Sequence, residues 1–344
     1  MTHPKFFRGI QNSKTKLLAL FIAFPILVVA AGWLYAPSAA DANKAAPDNQ
    51  GVFTISDNVN LVLLDVSVKG PHGGYVSGLD KKNFSVFEDG QPRTITQFDN
   101  ADTPVSVGLV VDNSGSMRNK RGDVIMAGLA FAHQSNPKDE FFVVNFNNSV
   151  VRGLPPDMMF TDNLNQIHSA LYYGQPEGQT ALYDAIAYSL NHLEYAHLQK
   201  HTLIVVSDGG DNVSKTTFPE LMKMIEASRA SIYTVGLYDP DDPTLNPGVL
   251  RKIAAVSGGE FFEPQKLDDI LSVFAKISQD IRHTYSIGYV PDDVTDHRVL
   301  RTVKVVAQED GQKLAVRTRT SYITTPLSRL VAQQANTNQQ ETRP

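Results

Sequence analysis

The amino-acid sequence predicts an α/β fold built on a doubly wound, mostly parallel sheet, with a smaller β module at its flanks. The first observation is an alternation of apolar strands and helical patterns between Val105 and Ile281, which is typical of parallel sheets covered by helices. The second is that strand patterns without helices precede and follow this region. The third is the length of 344 residues, which suits about two domains.

Within the α/β region, short apolar runs predict strands, and longer amphipathic runs predict helices. The predicted strands are Val105–Val111, Glu140–Asn145, His201–Val206, Ser231–Leu237 and Glu260–Phe262. The predicted helices are Val124–Gln134, Ala181–Tyr195, Phe218–Ser228, Val249–Val256 and Leu267–Ile281. Between Asn145 and Ala181 we predict a loop.

The flanks contain strand patterns separated by Asp-Gly turn signals at Asp89-Gly90 and Asp310-Gly311. The predicted flanking strands are Asn60–Val68, Phe84–Glu88, Thr94–Phe98, Tyr285–Tyr289, Val299–Ala307 and Leu314–Arg319. Because strand edges and apolar faces need partners, we expect both flanks to form one β-sandwich-like module. The alternative is two separate β appendages. The predicted domain bounds are 52–100 and 284–324 for the two parts of this module and 103–283 for the inserted α/β domain.

The N-terminus resembles an export segment, because basic residues precede an uncharged apolar run from Leu17 to Tyr35. Residues 1–40 are therefore predicted to be a signal peptide or an uncleaved membrane anchor, and residues 41–51 a linker. Either form places the rest of the chain outside the cytoplasm, secreted, periplasmic or anchored to the membrane. Residues 325–344 are rich in Gln, Asn and Thr and are predicted to be a disordered tail.

Composition excludes several classes of function. The chain contains no cysteine, which excludes disulfides, thiolate metal ligands and a thiol nucleophile. Its net charge of -5 provides no broad basic surface for nucleic acid. The sequence also contains no glycine-rich nucleotide-binding motif, so no nucleotide is expected.

Oxygen donors follow the predicted strand Val105–Val111 at a spacing of two residues. Asp112, Ser114 and Ser116 can converge on a hard cation such as Mg²⁺, which prefers oxygen ligands. Thr180 and Asp208 lie where later loops meet a helix and a strand. Since ligands of open α/β sheets bind outside the carboxyl ends of the strands, we expect all five oxygens to meet on one edge.

These three segments resemble a von Willebrand factor type A (vWA) domain. The resemblance is carried by D-x-S-x-S at Asp112, by GQTALYDA around Thr180 and by LIVVSDGGDN around Asp208. The flanking strings GLDKKNFSVFEDGQPRTITQFD and YSIGYVP…VRTRTSYI are similar to those of exported bacterial "VWFA-related domain" proteins. The resemblance covers roughly residues 52–323.

The resemblance implies a metal-ion-dependent adhesion site with Mg²⁺, or alternatively Mn²⁺ or Ca²⁺, held by Asp112, Ser114, Ser116, Thr180 and Asp208. It also implies that an acidic side chain of a partner protein, or water, completes the coordination. The physical reason is that two aspartates neutralise the ion and the hydroxyls add no charge. Tyr172, Tyr173 and Phe160 are expected either to form a partner surface at the site or to pack inside, and Asp211 and Asn212 to set the third loop and cap the next helix.

The leading prediction is thus an exported protein-binding or adhesion module. An alternative is a structural or assembly scaffold in which metal is incidental. An enzyme is not expected, because no histidine has an evident role as a base for Ser114 and the G-x-S-x-G pattern is not met. Metal-assisted hydrolysis is the remaining catalytic alternative.

Overall fold

A computed structural model describes residues 61–208, 210–238, 247–291 and 299–324. The predicted export segment 1–40, linker 41–51 and tail 325–344 lie outside the described residues and stay predictions. Within the described ranges, no helix combines the length and the apolar character needed to cross a membrane.

The described strands and helices are numbered in chain order. The strands are β1 Val62–Lys69, β2 Phe84–Glu88, β3 Gln91–Arg93, β4 Ile95–Asp99, β5 Val105–Asp112, β6 Glu140–Phe146, β7 Val150–Arg152, β8 Lys200–Ser207, β9 Ser231–Gly236, β10 Phe261–Phe262, β11 Tyr285–Tyr289, β12 Leu300–Glu309, β13 Gln312–Lys313, β14 Ala315–Arg317 and β15 Ser321–Ile323. The helices are α1 Arg121–Gln134, α2 Leu164–Leu171, α3 Leu182–His192, α4 Phe218–Ala227, α5 Pro247–Ser257 and α6 Ile270–Arg282.

The central sheet has the strand order β10-β9-β8-β5-β6-β7. Neighbouring strands from β10 to β6 are parallel, and β7 pairs with β6 in antiparallel orientation. Helix α1 packs against α2 and α6, whereas α4 packs against α3 and α5. The predicted α/β fold with a mostly parallel sheet is confirmed.

The middle strand β5 is buried along its whole length, as expected for a strand covered on both faces. Gly108 lies at its centre because a side chain cannot fit there. A Cβ atom on Gly108 would lie 2.4 Å from the Phe142 ring and 2.6 Å from Leu203. Side chains of the neighbouring strands therefore fill the space beside Gly108, and β5 lies in the packed centre of the sheet.

The loop predicted between Asn145 and Ala181 is wrong, because this stretch contains β7 and α2. Both elements are too short for a clear periodic pattern. The side chain of Asn163 begins α2 by accepting hydrogen bonds from the main-chain N–H groups of Asn165 and Gln166. A local cap and contacts with β6, rather than hydrophobic periodicity, define this helix.

Strands from the two flanks pair with each other. One sheet has the order β14-β1-β11-β4, and the other has β13-β12-β2-β3 with β15 paired to β12. Side chains of both sheets enter one apolar cluster that includes Leu64, Val86, Ile287 and Val305. The grouping of these strands into a β-sandwich-like domain with the bounds given above stays a prediction.

The Asp-Gly turns are confirmed at both hairpins, since Asp89 and Asp310 have φ of 48° and 49° and are each followed by a glycine with positive φ. The strand predicted at Thr94–Phe98 is confirmed as β4, one residue further along, but it is not the strand that returns from the Asp89-Gly90 turn. The chain returns from Asp89-Gly90 as the short β3 and then enters the other sheet as β4. The strand predicted at Leu314–Arg319 is shorter in the structure, where it is β14, Ala315–Arg317.

Candidate metal centre

The candidate site lies at the carboxyl ends of the two central strands. Asp112 is the last residue of β5, and Asp208 directly follows β8. The parallel register pairs Val111 with Val206, which brings the ends of both strands to the same edge of the sheet. The second loop of the site precedes α3 and contains Thr180, and the third follows Asp208.

The first loop is held in shape by its own polar groups. One carboxylate oxygen of Asp112 accepts a hydrogen bond from Ser114 N at 2.8 Å. The hydroxyls of Ser114 and Ser116 lie 3.1 Å apart. Met117, which is completely buried, anchors the 3₁₀ turn that follows. Asp112, Ser114 and Ser116 are therefore brought together, with Ser116 exposed at the surface.

Main-chain hydrogen bonds connect the first loop to the loop of Thr180. Gly115 N donates to Gly178 O at 3.1 Å, and Glu177 N donates to Asn113 O at 2.9 Å. Gly178 has a φ of 78°, and a Cβ atom there would lie 1.9 Å from Asn148 Oδ1. Glycine is thus required at this position both by the backbone conformation and by the close approach of Asn148.

The loop of Thr180 is connected in turn to the loop after Asp208. Thr180 N donates to Asn212 Oδ1 at 2.9 Å, and Asn212 N donates to Thr180 O at 3.1 Å. Asp184 accepts main-chain hydrogen bonds from Lys215 and Thr216. The three loops therefore form one hydrogen-bonded edge.

Asn212 sets this loop as expected, but the expectation that Asp211 caps the next helix is wrong. Asp211 accepts a hydrogen bond from Tyr183 N at 3.1 Å, in the first turn of the preceding helix α3. The next helix, α4, has Thr217 as its N-cap, within a capping box with Glu220. The helix that Asp211 caps is decided by a contact between two loops that are distant in the chain, and the residues next to Asp211 in the sequence do not reveal this contact.

Ser207 is a site residue that sequence reasoning missed. Its hydroxyl donates to the second carboxylate oxygen of Asp112 at 2.6 Å, and the residue is completely buried. A serine directly before Asp208 was visible in the sequence, but its partner lies in another strand. The hydrogen bond holds the Asp112 carboxylate in one orientation.

The two carboxylates of the site are buried, and neither forms an ion pair with a basic side chain among the described residues. Burial, and to a lesser degree the negative charge of Asp208, raise the pKa of Asp112 to about 6, against the hydrogen bonds from Ser114 and Ser207. Asp208 is 6% exposed, and its side chain forms no hydrogen bond or ion pair with another described residue. A bound divalent cation would offset the negative charges of both carboxylates.

The donor set of the site is rich in hydroxyls. Among the described residues, no group of three or more His, Cys, Asp or Glu side chains is placed to hold a metal. Thr180 is 4% exposed, and its hydroxyl forms no hydrogen bond with another described residue. Two carboxylates with hydroxyls fit Mg²⁺, which takes few charged ligands and keeps several waters. Asp112, Ser114, Ser116, Thr180 and Asp208 remain the predicted ligands.

Two exposed tyrosines border the first loop. Tyr172 and Tyr173 are 54% and 55% exposed, whereas Phe160 packs against Phe142. The carbonyl of Tyr173 accepts hydrogen bonds from the side chains of Asn113 and Arg121, at 3.2 and 3.0 Å. Both tyrosines are therefore held at the surface next to the site.

Similar solved structures include a von Willebrand factor type A protein from Catenulispora acidiphila, which is 14% identical. That likeness covers 79% of this chain and 75% of the other, with a TM-score of 0.47. The vWF domain of the type V pili tip protein Mfa5 from Porphyromonas gingivalis is 14% identical, over 53% of this chain and 96% of the other, with a TM-score of 0.42. The PilB minor pilin from Streptococcus sanguinis is 12% identical, over 54% and 63%, with a TM-score of 0.42.

Residues 107–210 match the family model of the von Willebrand factor type A domain. No match to a curated protein was found. All five predicted metal ligands lie inside the matched span.

Proposed function

We propose that this chain, which contains a von Willebrand factor type A domain, is a protein-binding module that recognises an acidic side chain of its partner through a bound Mg²⁺. The ion would be held by Asp112, Ser114, Ser116, Thr180 and Asp208. Mn²⁺ and Ca²⁺ are alternative ions, because they also accept oxygen ligands.

The observation that carries this proposal is the pair of buried carboxylates at the edge where three loops meet. Asp112 and Asp208 repel each other and lie away from water, and a divalent cation removes both penalties. Two carboxylates neutralise such an ion, and the hydroxyls of Ser114, Ser116 and Thr180 add no charge. A further carboxylate from outside the chain is then a favourable ligand.

Binding rather than catalysis is the proposed activity. A catalytic reading would need a base or a nucleophile beside the metal ligands, and the sequence around Ser114 carries no such motif. We further propose that the module works outside the cytoplasm. The support is the basic residues followed by the apolar run Leu17–Tyr35.

Thermal unfolding of the full-length protein in mild detergent tests the metal site. Excess Mg²⁺ should raise the unfolding temperature relative to EDTA, because a ligand of the native state stabilises it by about 2.7 kcal/mol at a hundredfold excess over Kd. The difference between Mg²⁺ and EDTA should vanish in Asp112→Ala.

The matched control is Asp162→Ala, which removes an exposed carboxylate away from the three loops and should keep the full Mg²⁺ effect. If metal stabilises neither the wild type nor the control, the metal-dependent proposal fails and the scaffold alternative takes its place. If metal stabilises the protein, capture of a partner in Mg²⁺ and its release by EDTA is the next measurement.

A further inference from the structure

A second candidate binding surface lies where the α/β domain meets the flanking strands. Its residues follow the predicted metal ligands in the sequence and include none of them. A groove of about 520 Å³ opens between α5 and β10 on one side and β12 with the segment 316–320 on the other. Its lining combines apolar residues, among them Ala255, Phe261 and Val316, with a set of basic ones.

Four basic side chains line this groove together with a single carboxylate. The basic residues are Arg251, Lys304, Arg317 and Arg319, and the carboxylate is Glu260. Glu260 is paired with Lys69 at 3.0 Å and with Arg317 at 3.5 Å. Arg251 and Arg317 are also paired with carboxylates that do not line the groove, Glu263 at 3.7 Å and Asp280. Lys304 and Arg319 form no ion pair with another described residue, so the surplus of positive charge in the groove comes from these two, although the whole chain has a net charge of -5. That contrast indicates an anionic ligand.

Arg319 strengthens this argument because it is buried without a carboxylate partner. It is 7% exposed, donates one hydrogen bond to the carbonyl of Ile225 at 3.3 Å, and has no ion pair with another described residue. Its Nε and the hydroxyl of the adjacent Thr318 are buried and have no hydrogen-bond partner in the described part of the chain. Burial lowers the pKa of Arg319 to about 10, although the charges of Asp65 and Glu226 act to raise it.

The main chain beside the groove is suited to an extended ligand. Val303 N donates to Thr320 O at 2.8 Å, and Leu314 N donates to Ala307 O at 3.0 Å, but β12 and β14 do not pair between these two bonds. Because alternate residues of a strand direct their main-chain groups to the same side, those of Val305 point toward this opening. β10, whose Phe261 lines the opposite wall, is the edge strand of the central sheet.

We propose that this groove binds an acidic, extended peptide segment of a partner protein. The carboxylates of the peptide pair with Lys304 and Arg319, and its apolar side chains lie on Phe261 and Val316. Main-chain hydrogen bonds at a strand edge supply affinity that does not depend on sequence, and the basic residues select acidic segments. The apolar walls and the negative net charge of the chain favour a peptide over a nucleic acid.

Fluorescence anisotropy of a labelled peptide with blocked ends, in which Val and Glu alternate, tests the proposal with the full-length protein. The acidic peptide should bind, whereas a peptide in which Val and Lys alternate should not. Lys304→Glu should weaken binding by roughly tenfold, since it replaces an attraction by a repulsion. Lys304 is exposed and forms no ion pair with another described residue, so the substitution should leave the fold intact.

The matched control is Lys252→Glu, which makes the same change of charge on an exposed position of α5 that does not line the groove. Equal weakening by Lys252→Glu and Lys304→Glu would overturn the proposal, because net charge alone would then explain binding. Loss of binding in EDTA or in Asp112→Ala would overturn it too, since the peptide would then occupy the metal centre. Full displacement by inorganic phosphate at a concentration that leaves ionic strength unchanged would show a site for a small anion rather than for a peptide.

Discussion

The two ends of the central sheet treat buried carboxylates in opposite ways. At the carboxyl ends of the strands, Asp112 and Asp208 lie close together without a cation from the described residues. At the other end, the fully buried Asp280 of α6 is paired with Arg317 of β14. It also accepts hydrogen bonds from Ser67 of β1 and Tyr233 of β9.

The difference shows which end is built for stability and which has room for a ligand. Burial alone would raise the pKa of Asp280, but Arg317 and the hydrogen bonds from Ser67 and Tyr233 lower it overall. At the carboxyl ends, burial and the second carboxylate raise the pKa of Asp112. The charge of Asp280 is neutralised by a basic side chain of the same protein. Asp112 and Asp208 have no such partner among the described residues, and a bound cation would neutralise them.

The largest effect is expected when the complete pair is broken. Asp280→Asn leaves Arg317 without its buried carboxylate and should lower the free energy of unfolding by about 3–5 kcal/mol, as measured by urea denaturation. Asp268→Asn, at an exposed position just before α6, is the matched control and should change stability by less than about 0.5 kcal/mol. Equal, small effects of both substitutions would show that the Asp280 cluster contributes nothing to stability.

The same carboxylate predicts a dependence of stability on pH. Since the pKa of Asp280 is lower in the folded protein than in the unfolded chain, its contribution is fully present above the unfolded value of about 3.9. It is lost as the pH falls below that value through the folded pKa. Urea denaturation of the wild type should therefore show a steeper loss of stability below about pH 4 than the same measurement on Asp280→Asn.

A smaller effect is expected from Ser207→Ala at the other end. This substitution removes the hydroxyl that donates to Asp112 and should lower the affinity for Mg²⁺ by about tenfold or more, as seen for residues that orient metal ligands. Titration of the unfolding temperature with Mg²⁺ measures this affinity. Ser189→Ala, which removes a buried hydroxyl bonded to the carbonyl of Ala185 in α3, is the control and should leave the Mg²⁺ titration unchanged.

An effect of opposite sign is expected from Asp208→Asn. In EDTA the substitution should increase the free energy of unfolding by about 1 kcal/mol, because it removes the repulsion between two buried carboxylates. In Mg²⁺ it should make the protein less stable than the wild type, because a ligand is lost. Stability that falls in both solutions would mean that the two carboxylates do not repel each other, and Asp162→Asn controls for the change of net charge.

The smallest effect on stability is expected from Tyr173→Ala beside the metal centre. The ring is more than half exposed, and the hydrogen bonds from Asn113 and Arg121 are made to its main-chain carbonyl. The free energy of unfolding should change by less than about 0.5 kcal/mol. A large loss in urea denaturation would show instead that the ring supports the loop.

Much of the α/β fold was predictable because its signals are local. Runs such as Val105–Val111 are apolar enough to identify a strand covered on both faces, and Asp-Gly pairs identified both hairpins of the flanks. The short elements β7 and α2 were missed, because a few residues do not display a period. Their existence depends on the strand β6 against which they lie.

The candidate site was predicted only in part. Three motifs in the right order identify Asp112, Thr180 and Asp208 as candidates, and the fold places their loops along one edge of the sheet. Ser207 was missed, and the role of Asp211 was predicted wrongly. In both cases the partner, Asp112 or Tyr183, lies in another element. Hydrogen bonds between distant segments leave no periodic pattern in the sequence.

The sequence by itself determined the alternation of strands and helices, the turns of the hairpins and the order of the oxygen-bearing loops. Each of these depends on residues that are close in the chain. Only the tertiary structure decided which strands of the two flanks pair, that Arg317 neutralises Asp280 and that Arg319 lines a groove without an ion-pair partner among the described residues. The matching of buried charges depends on contacts between segments far apart in the chain, and the order of residues does not encode such contacts in any local pattern.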